Sequence, residues 1–190
     1  MIKLAQKGFY YEQAKCIGCK GCQDACKAIK NLRFGPLYRQ VYDMESGHSP
    51  VSRKIHLSIS CNHCENPKCV QNCPMGAMQK RQEDGIVVHD YDKCIGCRIC
   101  TWSCPYGSPQ YIAGEGKVGK CDGCLTLLEK GENPACVDAC VMGCLHFDEL
   151  EKLRQKYGYN TEVIGLPSSG TTKPNIVISV KKSLIEAVNG

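Results

Sequence analysis

Cys94–Pro105 reads CIGCRICTWSCP, a C-x2-C-x2-C-x3-C-P run, and nothing else in the chain restricts its possible folds as tightly. Three thiolates at this spacing wrap one iron–sulfur cubane corner by corner. The fourth, after a gap of three residues, points away and ligates a second cluster. Variants of the run occur three more times: Cys16-x2-Cys19-x2-Cys22-x3-Cys26, Cys61-x2-Cys64-x4-Cys69-x3-Cys73-Pro74, and Cys121-x2-Cys124-x11-Cys136-x3-Cys140. Together the four runs take all but one of the 17 cysteines, the exception being Cys144. A disulfide knot needs no such spacing, so the cysteines are read as metal ligands.

That reading changes the charge. The formal +5 of the 190 residues treats cysteine as neutral. Sixteen thiolates and four [4Fe–4S]²⁺ cores turn it into about −3, so the apparent basicity gives no reason to expect nucleic acid as a partner. The first residues, MIKLAQKGFYYEQAKC, show no apolar signal core and no twin-arginine pair. No stretch approaches the roughly 18 apolar residues of a membrane span. The expectation is a chain loaded with metal inside the cell and largely unfolded without it, because metal-binding free energy becomes folding free energy in small metal domains.

Between the runs the pattern is sparse. Gly8–Glu12 reads as a strand, and QDACKAIK before Asn31 as a helix. Residues 38–45 and 54–60 alternate and predict a hairpin around the turn Ser46–Pro50. Gly85–Asp90 predicts a strand closing a short hairpin between runs two and three. Asp148–Tyr157 predicts a helix capped by Asp148, residues 173–180 a last strand, and Ser183–Val188 a final helical turn. Runs two and three, separated by one hairpin, form one two-cluster unit, which leaves runs one and four to pair.

The crossed rule then assigns four ligand sets. One is Cys61, Cys64, Cys69 with Cys104; the next is Cys94, Cys97, Cys100 with Cys73. A third is Cys16, Cys19, Cys22 with Cys140, and the fourth is Cys121, Cys124, Cys136 with Cys26. Cys144 is read as a small buried apolar residue beside a cluster, with a replacement ligand or reactive thiol as the second reading. Gly18, Gly21, Gly96 and Gly123 sit between ligands, where the backbone needs positive φ or close approach to sulfur. His63 is read as a hydrogen-bonding loop residue rather than a ligand. His48, His56, His89 and His146 show no ligand spacing, and Trp102 is expected to shield a cluster. Pro74 and Pro105 set turns after their ligands, while Lys27 and Val141 stand there in the other runs. No catalytic triad, nucleophile elbow or phosphate loop is present, so no catalytic residue is assigned.

The stretches GFYYEQAKCIGCKGC, SISCNHCENPKCVQNCPMGAM, DGIVVHDYDKCIGCRICTWSCPYGSPQY, GKCDGC and TKPNIVIS resemble the iron–sulfur subunits of the molybdopterin oxidoreductases, and within them the electron-transfer subunits of anaerobic dimethyl sulfoxide reductases. The resemblance implies an α+β fold of two pseudo-symmetric ferredoxin-like modules holding four [4Fe–4S] clusters. Residues 1–30 with 110–147 would make the outer module and 61–109 the inner one, with 31–60 an inserted hairpin and 148–190 a C-terminal extension. It also implies a molybdopterin-containing catalytic partner, a quinol-oxidising membrane anchor, and export in the folded state on a partner's twin-arginine signal. Some relatives replace a ligand of the third run, whereas Cys100 is present here. The fourth run ends CVMGC where relatives read more like CP followed by a small residue.

The function expected is therefore a non-catalytic electron-transfer subunit of such a reductase. A subunit of a soluble formate dehydrogenase or hydrogenase, or a free polyferredoxin, is the alternative. A zinc protein using the C-x2-C pairs is the reading from another class.

Overall fold

The computed structural model describes residues 5–46 and 53–180. In chain order the elements are β1 (Lys7–Glu12), α1 (Gly21–Ile29), β2 (Gln40–Ser46), β3 (Arg53–Ile59), α2 (Lys68–Gln71), β4 (Met78–Lys80), β5 (Val87–His89), α3 (Ile99–Ser103), β6 (Gln110–Ile112), β7 (Lys117–Gly119), α4 (Leu125–Leu128), α5 (Ala135–Asp138), β8 (Leu145–Glu149), α6 (Leu150–Tyr157) and β9 (Ile176–Ser179). The result is a small mixed α/β protein in which short helices begin inside or just after the cysteine runs.

GFYYE places apolar side chains on both faces of β1, and β1 lies between two strands. It pairs antiparallel with β8, Phe9 opposite Phe147, and parallel with β9, Tyr10 opposite Val177. The period of two sends Tyr10 toward Leu150, Leu153 and Val177, where its ring stacks on Tyr157 at 3.7 Å between centroids. Phe9 and Tyr11 go to the other side. There the main cluster of buried side chains has fifteen members, of which six are cysteines. Thiols thus occupy the space that aliphatic residues fill in an ordinary core.

Three two-stranded hairpins complete the sheets: β2–β3 with Tyr42 opposite Leu57, β4–β5 with Met78 opposite His89, and β6–β7 with Tyr111 opposite Val118. The inserted hairpin is as the alternation predicts. Its tip at 47–50 and the helical turn at 183–188 lie outside the described residues. The β6–β7 hairpin and β8 carry too little alternation to be read from sequence. Helix α1 packs against α5, and α2 against α3, so run one meets run four and run two meets run three. Among the described residues no helix is long and apolar enough to cross a membrane.

One boundary is corrected. Asp148 does not cap α6: it lies within β8, and Glu149 occupies the cap position without a side-chain cap bond. The first helical amide, Leu150 N–H, donates instead to the Gln6 carbonyl oxygen at 2.7 Å. The main chain leading into β1 satisfies that donor, so no acidic cap is required.

Candidate metal centres

The four runs share one backbone device. The residue before the second cysteine has positive φ in each: Gly18 at 70°, His63 at 43°, Gly96 at 70° and Gly123 at 69°. Runs one and three repeat it more fully, with Lys20 at 63° and Arg98 at 64° closing the loop as left-handed residues before α1 and α3. This curls the chain around a point so that successive thiols face it. At Gly96 a Cβ would also run into the Gly116 carbonyl oxygen, and at Gly18 into the His56 ring. Gly21 departs from the expectation: it opens α1 with ordinary helical geometry, and the left-handed residue is Lys20.

Three cavities of similar size, 310, 340 and 320 Å³, are lined by thiols. Cys94, Cys97 and Cys100 share the first with Cys73. Cys61, Cys64 and Cys69 share the second with Cys104. Cys16, Cys19 and Cys22 share the third with Cys140, and Cys144 lines it too. The remaining set is the most deeply buried. There Cys26 has its proton affinity raised by burial and then by the thiols of Cys121, Cys136 and Cys124. Each set takes three thiols from one run and one from the run packed against it.

Burial, followed by crowding of like groups, raises these thiols. Cys64 and Cys69 are pushed up to about 12, and Cys124 and Cys100 to about 11. Four thiolates cannot coexist in such a cavity unless a cation compensates them. Around them lie cations: Lys30, near Cys124 and Cys121, pairs with Asp122 at 2.7 Å, whereas Arg39 and Lys120 form no ion pair with a carboxylate among the described residues. Arg39 is 1% exposed. It donates to Ser58 Oγ at 3.1 Å and Ser60 Oγ at 2.9 Å, and stacks on Phe9 at 4.6 Å. Burial opposes its charge, but Cys136, Cys22 and Cys121, drawn from two different sets, outweigh that. Lys120, also buried, donates to the carbonyls of Val87 and Cys121 and lines the Cys61/Cys64/Cys69/Cys104 cavity. Lys80 ties the second run from outside, donating to the Cys64 carbonyl at 2.8 Å and the His63 carbonyl at 3.1 Å.

These features decide what kind of group the cavities fit. Buried cations beside thiols call for a net negative occupant, and a [4Fe–4S]²⁺ core with four thiolates carries −2. His63 is fully buried. Its Nδ1 accepts from Val87 N at 3.0 Å and burial keeps the ring neutral, so the proton sits on Nε2, which has no well-formed hydrogen bond among the described residues. The Cys121 sulfur lies beside the ring, placed to take that proton's hydrogen bond once it is a thiolate. Among the described residues no three cysteine, histidine or acidic side chains come close enough to hold a single metal ion. A tetrahedral zinc site would bring sulfurs within about 3.8 Å of one another. The cavities therefore fit cubanes, whose core holds the four sulfurs apart.

The sequence matches the model of the 4Fe-4S dicluster domain over residues 53–150. It is 46% identical over 181 residues to the probable anaerobic dimethyl sulfoxide reductase chain YnfG of Escherichia coli (strain K12), covering 91% of this chain and 88% of that one. It is 45% identical over 181 residues to a second anaerobic dimethyl sulfoxide reductase component of the same organism, with the same coverage. This protein belongs to the family of iron–sulfur subunits of the anaerobic dimethyl sulfoxide reductases. It is also 34% identical over 197 residues to a sulfite dehydrogenase subunit of Allochromatium vinosum, covering 88% of this chain and 80% of that one. A member of this iron–sulfur subunit family transfers electrons within an oxidoreductase complex and is not its catalytic component.

Within this iron–sulfur subunit several single residues depart from expectation. Trp102 shields nothing: it is 85% exposed, because α3 turns Cys100 inward and the next-but-one residue outward. His89 lines the Cys73/Cys94/Cys97/Cys100 cavity, and its Nε2 is buried without a partner. His56 pairs with Asp43 at 2.8 Å, His146 lies in β8 beside Tyr10, and His48 is outside the described residues. Helices α2 and α3 stop before Pro74 and Pro105, whereas α1 runs past Cys26 through Lys27 to Ile29. Sequence reasoning missed Arg39 and Lys120, and only the position of Lys120 next to Cys121 offered a signal.

Proposed function

We propose that the chain holds four [4Fe–4S] clusters, one per thiol set, and carries electrons between a quinol-oxidising membrane anchor and a molybdopterin-containing catalytic subunit. The observation that carries the reading is the repeated three-plus-one grouping of thiols around cavities of similar size. When bound, each cluster accepts and releases a single electron. The protein's own residues do the rest. Positive-φ loops set the thiols, Arg39 and Lys120 offset negative charge between neighbouring sets, and His63 Nε2 donates toward the Cys121 side. Burial keeps water from half of the sixteen cysteines, while Cys19 and Cys97 are exposed.

The sets fall in a row. Arg39 is linked to Cys22 of one through Ser58 Oγ and lies beside Cys136 of the next; Lys120 joins that second set to the third; α3 carries Cys100 and leads into Cys104, which belong to the fourth and third. A row of one-electron sites with no open coordination position suits conduction and not substrate chemistry. The pairing of α1 with α5 and α2 with α3 supports two ferredoxin-like modules, residues 1–30 with 110–147 and residues 61–109. In this reading the subunit sits at the membrane within its complex, exported folded on a partner's signal.

Anaerobic isolation of the protein from its native cells tests this. The expected eluate is brown, contains about 16 iron atoms per chain, and includes a large molybdenum- or tungsten-containing subunit and a hydrophobic anchor. Co-purification with soluble dehydrogenase subunits removes the anchor, and a colourless zinc-containing product refutes the reading altogether.

A further inference from the structure

Seventeen cysteines are one more than four cubanes need, and the surplus thiol is not placed at random. The Cys73 and Cys61 cavities each have four lining cysteines, while the third has five. Cys144, 3% exposed, lines it with Cys16, Cys19, Cys22 and Cys140. Its Sγ is 3.3 Å from Cys140 Sγ, and its backbone N–H donates to that sulfur at 3.4 Å. Cys16 is a further neighbour within the same cavity. A residue that only filled apolar space would have no reason to line a thiol cavity with its sulfur against that of Cys140.

We propose that Cys144 is a reserve iron ligand of the Cys16/Cys19/Cys22/Cys140 centre, able to take the place of Cys140. The inference rests on the four-cluster reading above. Two sulfurs at 3.3 Å cannot both serve as corners of one cubane, since corner thiolates are held apart by the core between them. They can serve in turn, because a shift of about that distance puts one where the other was. The connection allows it. Only Val141, Met142 and Gly143 separate the two cysteines, Gly143 has φ of 58°, and the Val141 and Met142 side chains are exposed. The backbone of Cys144 stays tied to β1, its carbonyl oxygen accepting from Glu12 N–H at 2.9 Å, so the exchange needs movement of the exposed 141–143 turn and of the Cys140 and Cys144 side chains only. The exchange is a substitution without electron transfer. The iron–sulfur bond to Cys140 breaks and the bond to Cys144 forms, while the Cys144 thiol proton passes to the Cys140 thiolate beside it. A centre so equipped survives damage to one ligand, and the nearby exposed positions Ile17, Val141 and Met142 place this cavity close to the surface.

The test uses the intact complex, purified anaerobically, with iron content and the electron paramagnetic resonance spectrum of the reduced protein as readouts. C144A keeps the full iron content and all four signals. C140A also keeps them, with the signal of one centre altered in shape. The double variant C140A/C144A loses about a quarter of the iron and one signal, as does C26A, whose set has no fifth thiol. Loss of a centre in C140A alone overturns the proposal, as does failure of C140A to assemble where C144A assembles. Retention of the centre in the double variant overturns it as well, since another group would then be the replacement. Failure of the underlying reading is distinct: wild-type protein would lack iron for four clusters, or C26A would lose none.

Discussion

Replacing Arg39 with methionine keeps much of its volume and apolar stem while removing one buried positive charge. The guanidinium has no carboxylate partner; its neighbours are two serine hydroxyls, the Phe9 ring and thiols of two adjacent sets. At about 6 Å from a cluster and an effective dielectric of about 20, a unit charge is worth roughly 3 kcal/mol. For a one-electron couple this is on the order of 100 mV. The cation favours the reduced, more negative state, so its loss lowers the potential. Two clusters are expected to drop, those of Cys16/Cys19/Cys22/Cys140 and Cys26/Cys121/Cys124/Cys136. The other two lie farther off and shift much less. Redox titration of the complex followed by electron paramagnetic resonance reads the four potentials separately. Arg39→Lys serves as the control, since it keeps the charge and alters the packing, and it should move them by a small fraction of the methionine effect. Equal shifts in the two variants, or none in either, would refute the electrostatic account and leave Arg39 a packing residue.

Other expectations are simpler. Gly96→Ala meets both a positive φ and the Gly116 carbonyl, so it should cost more than the roughly 1–2 kcal/mol of the left-handed conformation and reduce the iron held by the Cys94 set. Gly107→Ala, with φ of 61° but open space around it, should cost only that amount in thermal unfolding. Stripping the iron with chelator under oxidising conditions should collapse the circular dichroism signal cooperatively, because thiols make up six of the fifteen residues of the main core. Asp122 is half-buried, which raises its pKa, yet its 2.7 Å pair with Lys30 holds it below the usual carboxylate range. A depressed folded pKa contributes stability that is present above the unfolded value and lost as pH falls through the folded one. Asp122→Asn should therefore weaken the protein at neutral pH and flatten its loss of stability below about pH 4. Trp102→Ala should leave iron content and all potentials unchanged, since the ring faces solvent.

Much of the site was legible because it is written in short covalent distances. The x2 and x3 gaps fix which thiols can face one point and which must point away, and the grouping around the cavities follows from them. Alternation of two in residues 38–45 and 54–60 fixed the inserted hairpin for the same local reason. The sequence was mute where a residue's role depends on chain far away from it. Tyr10 is central only because β9, more than 160 residues later, lies parallel to β1. Arg39 reads as a polar residue before a strand until folding buries it between Cys22 and Cys136. His63 takes a backbone conformation that composition reserves for glycine, held there by a bond to Val87. Trp102 looks inward by type and faces outward by helix phase, and the odd cysteine gains meaning only from the 3.3 Å to Cys140. The grouping of thiols was thus a property of spacing along the chain. The charges, donors and spare thiol around the ligands were decided by tertiary packing, because electrostatic and sulfur–sulfur contacts depend on distance in space and leave no period in the sequence.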